Sequence, residues 1–319
     1  MPHWLIKAAL QRGISVMPAS QRLNEWFQKN VTKSIELTPN RFEERLDFTR
    51  RHYEHLRELR REAARDFTAV ELGTGWYPVV PLGLYLCGAE SIWTYDIAPY
   101  LSRERLQSLL GFFEAYARRG DLQRMLPGAL PERVSQLKKS ITEMSDEPPE
   151  AWLERLNIFV RVQDAQQTGL NSDTVDLFVS TGVLEYIPRS ILVNILNEFQ
   201  RVGKPGAIKS HYLNLRDQYS YFDSSISPFN FLKFTDRQWS WFDSPLTSLN
   251  RLRISDYRDL FAQAGYKIER EINTHGLAED LAKVRLAPEF QAYKTEDLLV
   301  LLSFVAARSI ADGPTVRGD

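Results

Sequence analysis

The chain has 319 residues, of which 43% are hydrophobic and 25% charged, and its formal net charge is −1. This length suits one large domain or a core domain with additions. Because the chain is nearly neutral, it has no overall field to attract nucleic acid or an anionic membrane surface, and we expect neither as a partner. The single cysteine, Cys87, excludes an internal disulfide and a cysteine-based metal site.

No stretch of the sequence reaches the roughly 18 consecutive apolar residues of a transmembrane helix. The apolar run at the N-terminus is interrupted by Lys7, which argues against a secretory signal. We therefore expect a cytoplasmic protein without stable membrane insertion. Trp4, Leu5 and Leu10 can share one helix face, which we expect to pack on the chain's own domain.

Residues 1–66 are predicted to form an N-terminal helical cap. Between about Ser20 and Asp66, apolar residues recur near helical spacing among many charges. The charges are expected to form a solvated face. The apolar residues of the most regular part are Phe42, Leu46, Phe48, Tyr53, Leu56 and Leu59.

A buried strand is predicted to begin at Phe67 and to lead into Gly73. Pro78 suits the first position of a helix, and the apolar run after it stops near Gly88. A second strand then ends at Asp96. Strand, glycine loop, helix and strand together form a βαβ unit, which implies parallel strands.

The alternation continues along the chain. A third strand is predicted to end at Asp164, a fourth to span Val175 to Ser180, and a fifth to end at Tyr212 after an amphipathic helix. A helix, a glycine and a strand follow, and "DLLVLLSFVAAR" is a last apolar strand. This pattern predicts an α/β fold with a doubly wound, mostly parallel, seven-stranded sheet.

We expect this core domain to span residues 67–311. Two stretches interrupt its alternation, at about 117–152 and 213–253, and both are interpreted as insertions. The second is rich in aromatic residues and is expected to form a lid. Residues 312–319 are expected to be a flexible tail.

The glycine loop after the first strand limits which cofactor can bind. Gly73 and Gly75 permit unusual dihedrals and close approach of a ligand, and Asp96 can accept both hydroxyls of a ribose. A dinucleotide-binding loop requires a third glycine at the position of Pro78, which lacks an N–H group. The loop therefore favours a ribonucleoside without a pyrophosphate.

Four segments, "VELGTGWYP", "TYDI", "VQDA" and "DTVDLFVSTGVLEYIP", each stand at a predicted strand end. Together they resemble the class I S-adenosylmethionine-dependent methyltransferases, over the core from about Phe67 to Tyr212. The resemblance implies a Rossmann-like fold, S-adenosylmethionine as cofactor and S-adenosylhomocysteine as product. The sequence departs from the family at Tyr77, where the family usually has its third glycine.

The resemblance also implies roles for individual residues. Glu71 is expected near the amino group of the cofactor, Asp96 at its ribose hydroxyls and Asp164 at its adenine amine. Each of these carboxylates could alternatively have only a structural role. The full set of implied cofactor-binding residues is Glu71, Gly73, Thr74, Gly75, Asp96, Ile97, Asp164, Ala165, Ser180 and Thr181.

The methyl acceptor is expected above the ends of the fourth and fifth strands. His211 is the first candidate for general base, because imidazole titrates near neutral pH, and Glu185 is the second. Either residue could instead be structural. No metal is expected, because Glu185, His211 and Asp217 lack the tight spacing of metal ligands. The candidate substrate-binding residues are Tyr186, Tyr212, Asp217 and Tyr221.

The aromatic segment from Tyr219 to Trp241 mixes aromatic rings with carboxylates and amides, a composition that suits sugar rings. The alternative is a cap that packs on itself. We hypothesise a methyltransferase that O-methylates a hydroxyl of a saccharide or other small metabolite. N-methylation of a small molecule or protein side chain is the alternative activity. A cofactor-binding partner subunit without catalysis is a third possibility, and the oligomeric state stays open.

Overall fold

The computed structural model describes residues 36–60, 64–144, 146–242 and 249–310. Most of the predicted N-terminal helical cap, including the apolar residues near the N-terminus, lies outside the described residues. The predicted flexible tail, residues 312–319, lies outside them as well. Among the described helices, none is long and apolar enough to cross a membrane.

Seven strands of the described chain form one sheet in the order β3-β2-β1-β4-β5-β7-β6. The first five strands are parallel, and β7 is antiparallel to both of its neighbours, β5 and β6. This order is that of the class I methyltransferase fold, and it confirms the predicted fold class. The strands are β1 Phe67–Leu72, β2 Ala89–Asp96, β3 Ile158–Val162, β4 Val175–Thr181, β5 Gly203–Asn214, β6 Tyr266–His275 and β7 Val300–Ser309.

Helices cover both faces of the sheet, as the doubly wound pattern requires. Four short 3-10 helices of the described chain span Leu184–Tyr186, Gln218–Tyr221, Asn230–Lys233 and Pro288–Phe290. The α-helices of the described chain are α1 Pro39–Leu59, α2 Val79–Leu86, α3 Arg103–Arg119, α4 Asp121–Met125, α5 Pro131–Thr142, α6 Pro149–Glu154, α7 Arg189–Val202, α8 Asp236–Trp239, α9 Ile254–Gln263, α10 Ala278–Ala282 and α11 Thr295–Leu299.

The alternation of side chains along each strand divides the core in two. Ala69 of β1 faces the apolar layer that α1 and α2 share with α3 to α6, whereas Val70 faces the layer under α7 and α9. The central strands β1 and β4 are buried almost throughout, as expected for parallel strands covered on both faces.

Helix α1 lies across the carboxyl-terminal halves of β4 and β5. It begins at Pro39 after the N-cap Thr38, whose hydroxyl accepts from Arg41 N–H at 3.4 Å. Four residues of its apolar stripe are buried, Phe42, Leu46, Phe48 and Leu56, and the other two, Tyr53 and Leu59, are half-buried. Two histidines share the buried face, His52 and His55, which are 0% and 3% exposed. Both lie within hydrogen-bonding distance of Ser210 on β5.

The insertion at 117–152 is helical. Pro131 and Pro149 stand at the first positions of α5 and α6, where a missing N–H group costs nothing. Leu122, Leu137 and Trp152 are buried in the same apolar layer as α1 and α2. This stretch therefore extends one face of the core.

The aromatic segment packs on itself and on the connection between β6 and β7. Phe229, Phe231 and Trp239 are at most 5% exposed and share one apolar cluster with Phe290 and Leu298. This cluster, which we call the aromatic cap, confirms the self-packed alternative for most of its rings.

Two buried arginines hold the aromatic cap in place. Arg253 is fully buried and donates to the carbonyls of Leu215, Leu298 and Val300 at 2.6–3.2 Å. Arg251 donates to the carbonyl of Phe231 at 3.2 Å, inside the cap. Because the Arg253 guanidinium also lies 5.6 Å from the Phe231 ring centroid, it joins the cap to the ends of β5 and β7.

Candidate functional site

The carboxyl ends of β1, β2 and β4 lie side by side, because these strands are parallel and adjacent. Three glycines there adopt left-handed backbone conformations: φ is 91° at Gly73, 60° at Gly75 and 67° at Gly182. A Cβ on Gly73 would lie 2.4 Å from Cγ2 of Val183. The glycine loop therefore contacts the loop after β4, and only glycine at position 73 allows this approach.

Asp96, at the end of β2, holds the glycine loop in place. Gly75 N–H donates to Oδ2 at 2.9 Å, and Ala98 N–H donates to Oδ1 at 3.3 Å. Burial raises the pKa of Asp96, while these N–H groups lower it. A carboxylate has about four lone-pair positions. Further positions thus remain free to accept from a ligand, and the contact with ribose hydroxyls stays a prediction.

Glu71 is a buried carboxyl on β1. Thr94 Oγ1 donates to its Oε2 at 2.6 Å, and Thr74 Oγ1 lies 2.6 Å from Thr94 Oγ1. Burial raises the pKa of Glu71 to about 8, against the opposing effects of the Thr94 hydrogen bond and the Arg45 guanidinium. A cation beside this carboxyl would stabilise its ionised form, which suits a ligand ammonium group.

Three predicted adenine and ribose contacts lie beyond the ends of β2 and β3. Ile97 is 82% exposed, an unusual position for a large apolar side chain, and Ala165 is buried. Asp164 is exposed, and both of its oxygens accept from Gln166, from the backbone N–H at 2.9 Å and from Nε2 at 2.6 Å. An uncovered apolar side chain near a carboxylate suits a flat heterocycle that carries an amine.

Trp76 and Tyr77 occupy the loop where a third glycine is absent. Trp76 stacks on Tyr100 with ring centroids 4.4 Å apart, and the Arg105 guanidinium lies 4.3 Å above the indole. Tyr77 packs against the apolar layer below, and Pro78 takes the N-cap position of α2. Trp76 therefore joins the glycine loop to the segment after β2.

Ser180 and His211 contact each other within the sheet, and both side chains are fully buried. Ser180 Oγ lies 2.8 Å from Nδ1 of His211, which is fully buried and stacks on Phe261 at 5.7 Å. Burial, together with the Lys209 cation, lowers the pKa of His211 to about 3. A neutral, enclosed imidazole is a poor proton acceptor at neutral pH. The geometry thus favours the structural role for His211 over that of general base.

Thr181 is connected to α1 by a chain of buried hydrogen bonds that the sequence does not reveal. Nε2 of His52 lies 3.1 Å from Thr181 Oγ1, and Nδ1 of His52 lies 2.7 Å from Ser210 Oγ. Nδ1 of His55 lies 2.8 Å from the same Ser210 oxygen. Because one hydroxyl carries one proton, at least one of the two imidazoles must donate to it from Nδ1–H. The chain fixes the orientation of Thr181 at the end of β4.

Glu185 lies in the turn after β4 and is 3% exposed. Its Oε1 accepts from Asn214 N–H at 3.3 Å, and its Oε2 has no hydrogen-bond partner among the described residues. Burial raises the pKa of Glu185 to about 8. A carboxyl that titrates near neutral pH and keeps one oxygen unpaired can exchange a proton with a bound acceptor.

The four predicted substrate-binding residues divide into two groups. Tyr186 and Tyr221 are 39% and 53% exposed, and Tyr212 is half-buried, so these three rings can contact a ligand. Asp217 is fully buried, and its oxygens accept from Tyr219 N–H at 2.8 Å and from Asn230 Nδ2 at 2.9 Å. Its contacts are those of a structural cap residue.

The described residues contain no group of three His, Cys, Asp or Glu side chains placed to hold a metal ion. In particular, His211 lies under α9, whereas Asp217 lies within the aromatic cap. A groove of about 700 Å³ runs along α7, and its lining residues, such as Asn194, Arg201 and Lys204, include none of the glycine loop. The convergent polar groups are therefore those at the carboxyl edge of the sheet.

No protein-family model matches the chain, and no curated protein is detectably similar to it in sequence. Solved structures of similar fold include a geranyl diphosphate C-methyltransferase from Streptomyces coelicolor A3(2), determined with Mg²⁺, geranyl diphosphate and S-adenosyl-L-homocysteine. That protein is 12% identical, the match covers 82% of this chain and 78% of that one, and the TM-score is 0.44.

Two S-adenosylmethionine-dependent methyltransferases have similar statistics. The one from Mesorhizobium loti is 13% identical, with 80% of this chain and 96% of that chain covered and a TM-score of 0.42. The one from Methanosarcina mazei is 13% identical, with 78% and 94% covered and a TM-score of 0.42. At such low identities and TM-scores, function has to be inferred from the site itself.

Proposed function

We propose that the protein is an S-adenosylmethionine-dependent methyltransferase that acts on a small molecule. The observation that carries this proposal is the bond between Gly75 N–H and Asp96 at the ends of adjacent strands in this strand order. This hydrogen bond brings together a glycine loop that lacks a phosphate-binding sequence and a carboxylate that still has free lone pairs. Such a pair suits the ribose of a single adenosine.

The surrounding residues fit the remaining parts of the cofactor. The buried Glu71 carboxyl would take the ammonium group, and the exposed Ile97 would cover one face of the adenine ring. Thr181, held by His52, would line the methionine side. When bound, S-adenosylmethionine supplies an electrophilic methyl group, so the protein mainly has to orient the acceptor.

Glu185 is the group of this site that we assign as the proton acceptor. Its pKa of about 8 lies near the pH at which a general base is most effective. Its unpaired Oε2 can accept a proton from a hydroxyl or an amine, and the neighbouring Tyr186 and Tyr212 can contact the same acceptor. His211 is fully buried as well, and its pKa of about 3 makes it the weaker base at neutral pH.

We propose a hydroxyl-bearing small metabolite as the acceptor and do not commit to a saccharide. Most rings of the aromatic cap are buried against one another, so they are not available to stack on a sugar. The rings that stay exposed there are Tyr221, Phe222 and Trp241. Proton transfer to Glu185 requires only one hydroxyl on the acceptor.

Calorimetric titration with S-adenosylhomocysteine tests the cofactor assignment. We expect micromolar binding by the wild-type protein and a loss of about 10-fold to 100-fold in Asp96→Ala, because both ribose contacts and the loop anchor are lost. Asp121→Ala removes a half-buried carboxylate that pairs with Arg119 and Arg124 and is the matched control. Absence of binding at millimolar ligand would refute the proposal.

The variant Glu185→Gln distinguishes a catalytic methyltransferase from a cofactor-binding subunit without catalysis. The variant retains the shape of the protonated side chain, so it should bind S-adenosylhomocysteine like the wild type. Methyl transfer to an active acceptor should fall by about 100-fold or more, the usual contribution of a general base. Transfer at the wild-type rate would remove Glu185 from the mechanism.

A further inference from the structure

A pocket of about 240 Å³ opens between α1 and the strands β5, β7 and β6. It lies next to the acceptor space, because Tyr212 lines it and is paired with Thr181 of β4 in the sheet. Its lining comes from three strands and one helix: Glu44, Asp47, Phe48, Arg51, Tyr212, Ile272, Thr274, Leu302, Ser303 and Phe304.

Three aromatic rings form the floor of this pocket. Phe48 and Tyr212 are 4.4 Å apart between centroids, and Phe304 lies 6.1 Å from Tyr212 and 6.5 Å from Phe48. Ile272 is 48% exposed on the wall, although it is a large apolar side chain. The rings are tilted or edge-on to one another, and Phe48 and Phe304 are only 8% and 1% exposed, so the open ring surface is that of Tyr212. Together with the uncovered Ile272 side chain, this surface suits a planar organic ring.

One cation stands over this floor. The Arg51 guanidinium carbon lies 4.1 Å from the centroid of the Phe304 ring, and partial burial lowers the pKa of Arg51. No described residue forms a hydrogen bond or an ion pair with its guanidinium. A partly desolvated guanidinium with unused donors is a binding group for a carboxylate.

Two carboxylates also line the pocket, and their charges have to be weighed. Asp47 pairs with Arg50, whose Nε donates to Oδ1 at 3.1 Å, but Arg50 also donates to Glu54 at 2.7 and 2.8 Å. Glu44 is exposed at the rim, where water screens its charge. Among these lining residues Arg51 is the one cation, and its guanidinium lies over the Phe304 ring.

We infer that this pocket binds the acceptor through a carboxylate carried on a flat unsaturated or aromatic ring. The ring would pack against Tyr212 and Ile272, and the carboxylate would accept from Arg51. This inference rests on the proposed function only in naming the ligand as the acceptor; the pocket and its preference for an anion can be tested without cofactor.

The probes are benzoate and its neutral analogue benzamide, titrated into the full chain and followed by ligand-observed NMR. Benzoate should bind at millimolar concentration, and benzamide at least fivefold more weakly. Arg51→Gln should weaken benzoate binding by about 10-fold or more, the usual worth of a charge-assisted hydrogen bond. Arg57→Gln removes the same charge from an exposed position of the same helix and should change it by less than twofold.

A second variant tests the pocket independently of any effect that the Arg51 substitution has on folding. Ile272→Trp fills the pocket from an exposed position and should abolish benzoate binding while leaving S-adenosylhomocysteine affinity unchanged. Failure of benzoate to bind, equal binding of benzamide, or equal losses in the Arg51 and Arg57 variants would overturn the inference. If benzoate binds as expected but S-adenosylhomocysteine does not, the pocket stands and the proposed function fails.

Discussion

Gly73 and Gly75 both adopt left-handed backbone conformations, but their surroundings differ. A Cβ at Gly73 would collide with Val183, whereas a Cβ at Gly75 would meet no atom within 4 Å. Alanine at either site costs about 1 kcal/mol for the backbone conformation. Gly73→Ala should cost at least 1–3 kcal/mol more, because it overpacks the contact with the loop after β4.

Urea unfolding of the two single variants measures this difference. Adding Val183→Ala to Gly73→Ala should recover part of the loss, because the smaller side chain makes room for the methyl group. Equal destabilisation by the two glycine substitutions would show that the close approach of the two loops has no energetic weight.

At the residue scale, the contacts best predicted from the sequence are those that the local strand and loop pattern determines. Gly73 and Asp96 each follow a strand directly, so their meeting at the sheet edge follows from the βαβ pattern. His211 was harder, because adjacent residues of a strand point to opposite faces and the sequence does not say which face is open. His52 was missed altogether, since its contact with Ser210 joins residues 158 positions apart.

At the scale of elements, α1 is attached to the sheet by polar contacts as well as by its apolar stripe. The single hydroxyl of Ser210 serves both His52 and His55. Ser210→Ala should leave two buried imidazole nitrogens without a partner and cost about 2–4 kcal/mol. The comparison is Ser135→Ala, which removes an exposed hydroxyl from α5 and should change stability by less than about 0.5 kcal/mol.

Urea unfolding provides the free energies, and a cycle with His52→Leu provides the coupling. Because the two side chains share one hydrogen bond, the double variant should be less destabilised than the sum of the single variants. Additive effects would mean that the chain from His55 to Thr181 does not act as one unit.

The aromatic cap shows what a local pattern leaves open. The sequence predicted a lid in residues 213–253, but four of the eleven buried residues of its cluster come from the connection between β6 and β7, namely Leu281, Ala287, Phe290 and Leu298. Composition alone could not distinguish rings that stack on a ligand from rings that stack on each other. The distinction depends on nonlocal partners.

At the scale of the whole molecule, buried ionisable groups make the free energy of unfolding depend on pH in two opposing ways. The pKa values of Glu71 and Glu185 are raised from 4.5 to about 8, so the native state keeps protons that the unfolded chain has lost. Their contribution falls as the pH rises from about 4.5 to 8. The pKa values of His52, His55 and His211 are lowered from 6.5, so their contribution falls as the pH drops below 6.5.

These groups together predict greatest stability near pH 6.5. Below pH 6.5, the stability gained with rising pH from the three histidines exceeds the stability lost from the two glutamates. Above pH 6.5, only the loss from the glutamates remains, until Lys209, whose pKa is lowered to about 7, offsets the loss from one of them. Each group contributes a slope of about 1.4 kcal/mol per pH unit within its own interval. The free energy of unfolding should therefore decline between pH 6.5 and 8.

The double variant Glu71→Gln and Glu185→Gln tests the origin of that decline. Glutamine resembles the protonated carboxyl and cannot ionise, so the variant should lose the decline and become more stable than the wild type as the pH rises toward 8. Urea unfolding at pH 5, 6.5 and 8 measures both proteins. Parallel pH profiles would mean that these carboxyls are ionised in the native state at neutral pH. A variant profile that no longer declines between pH 6.5 and 8 would instead show that the two carboxyls stay protonated in the folded protein while the site is empty.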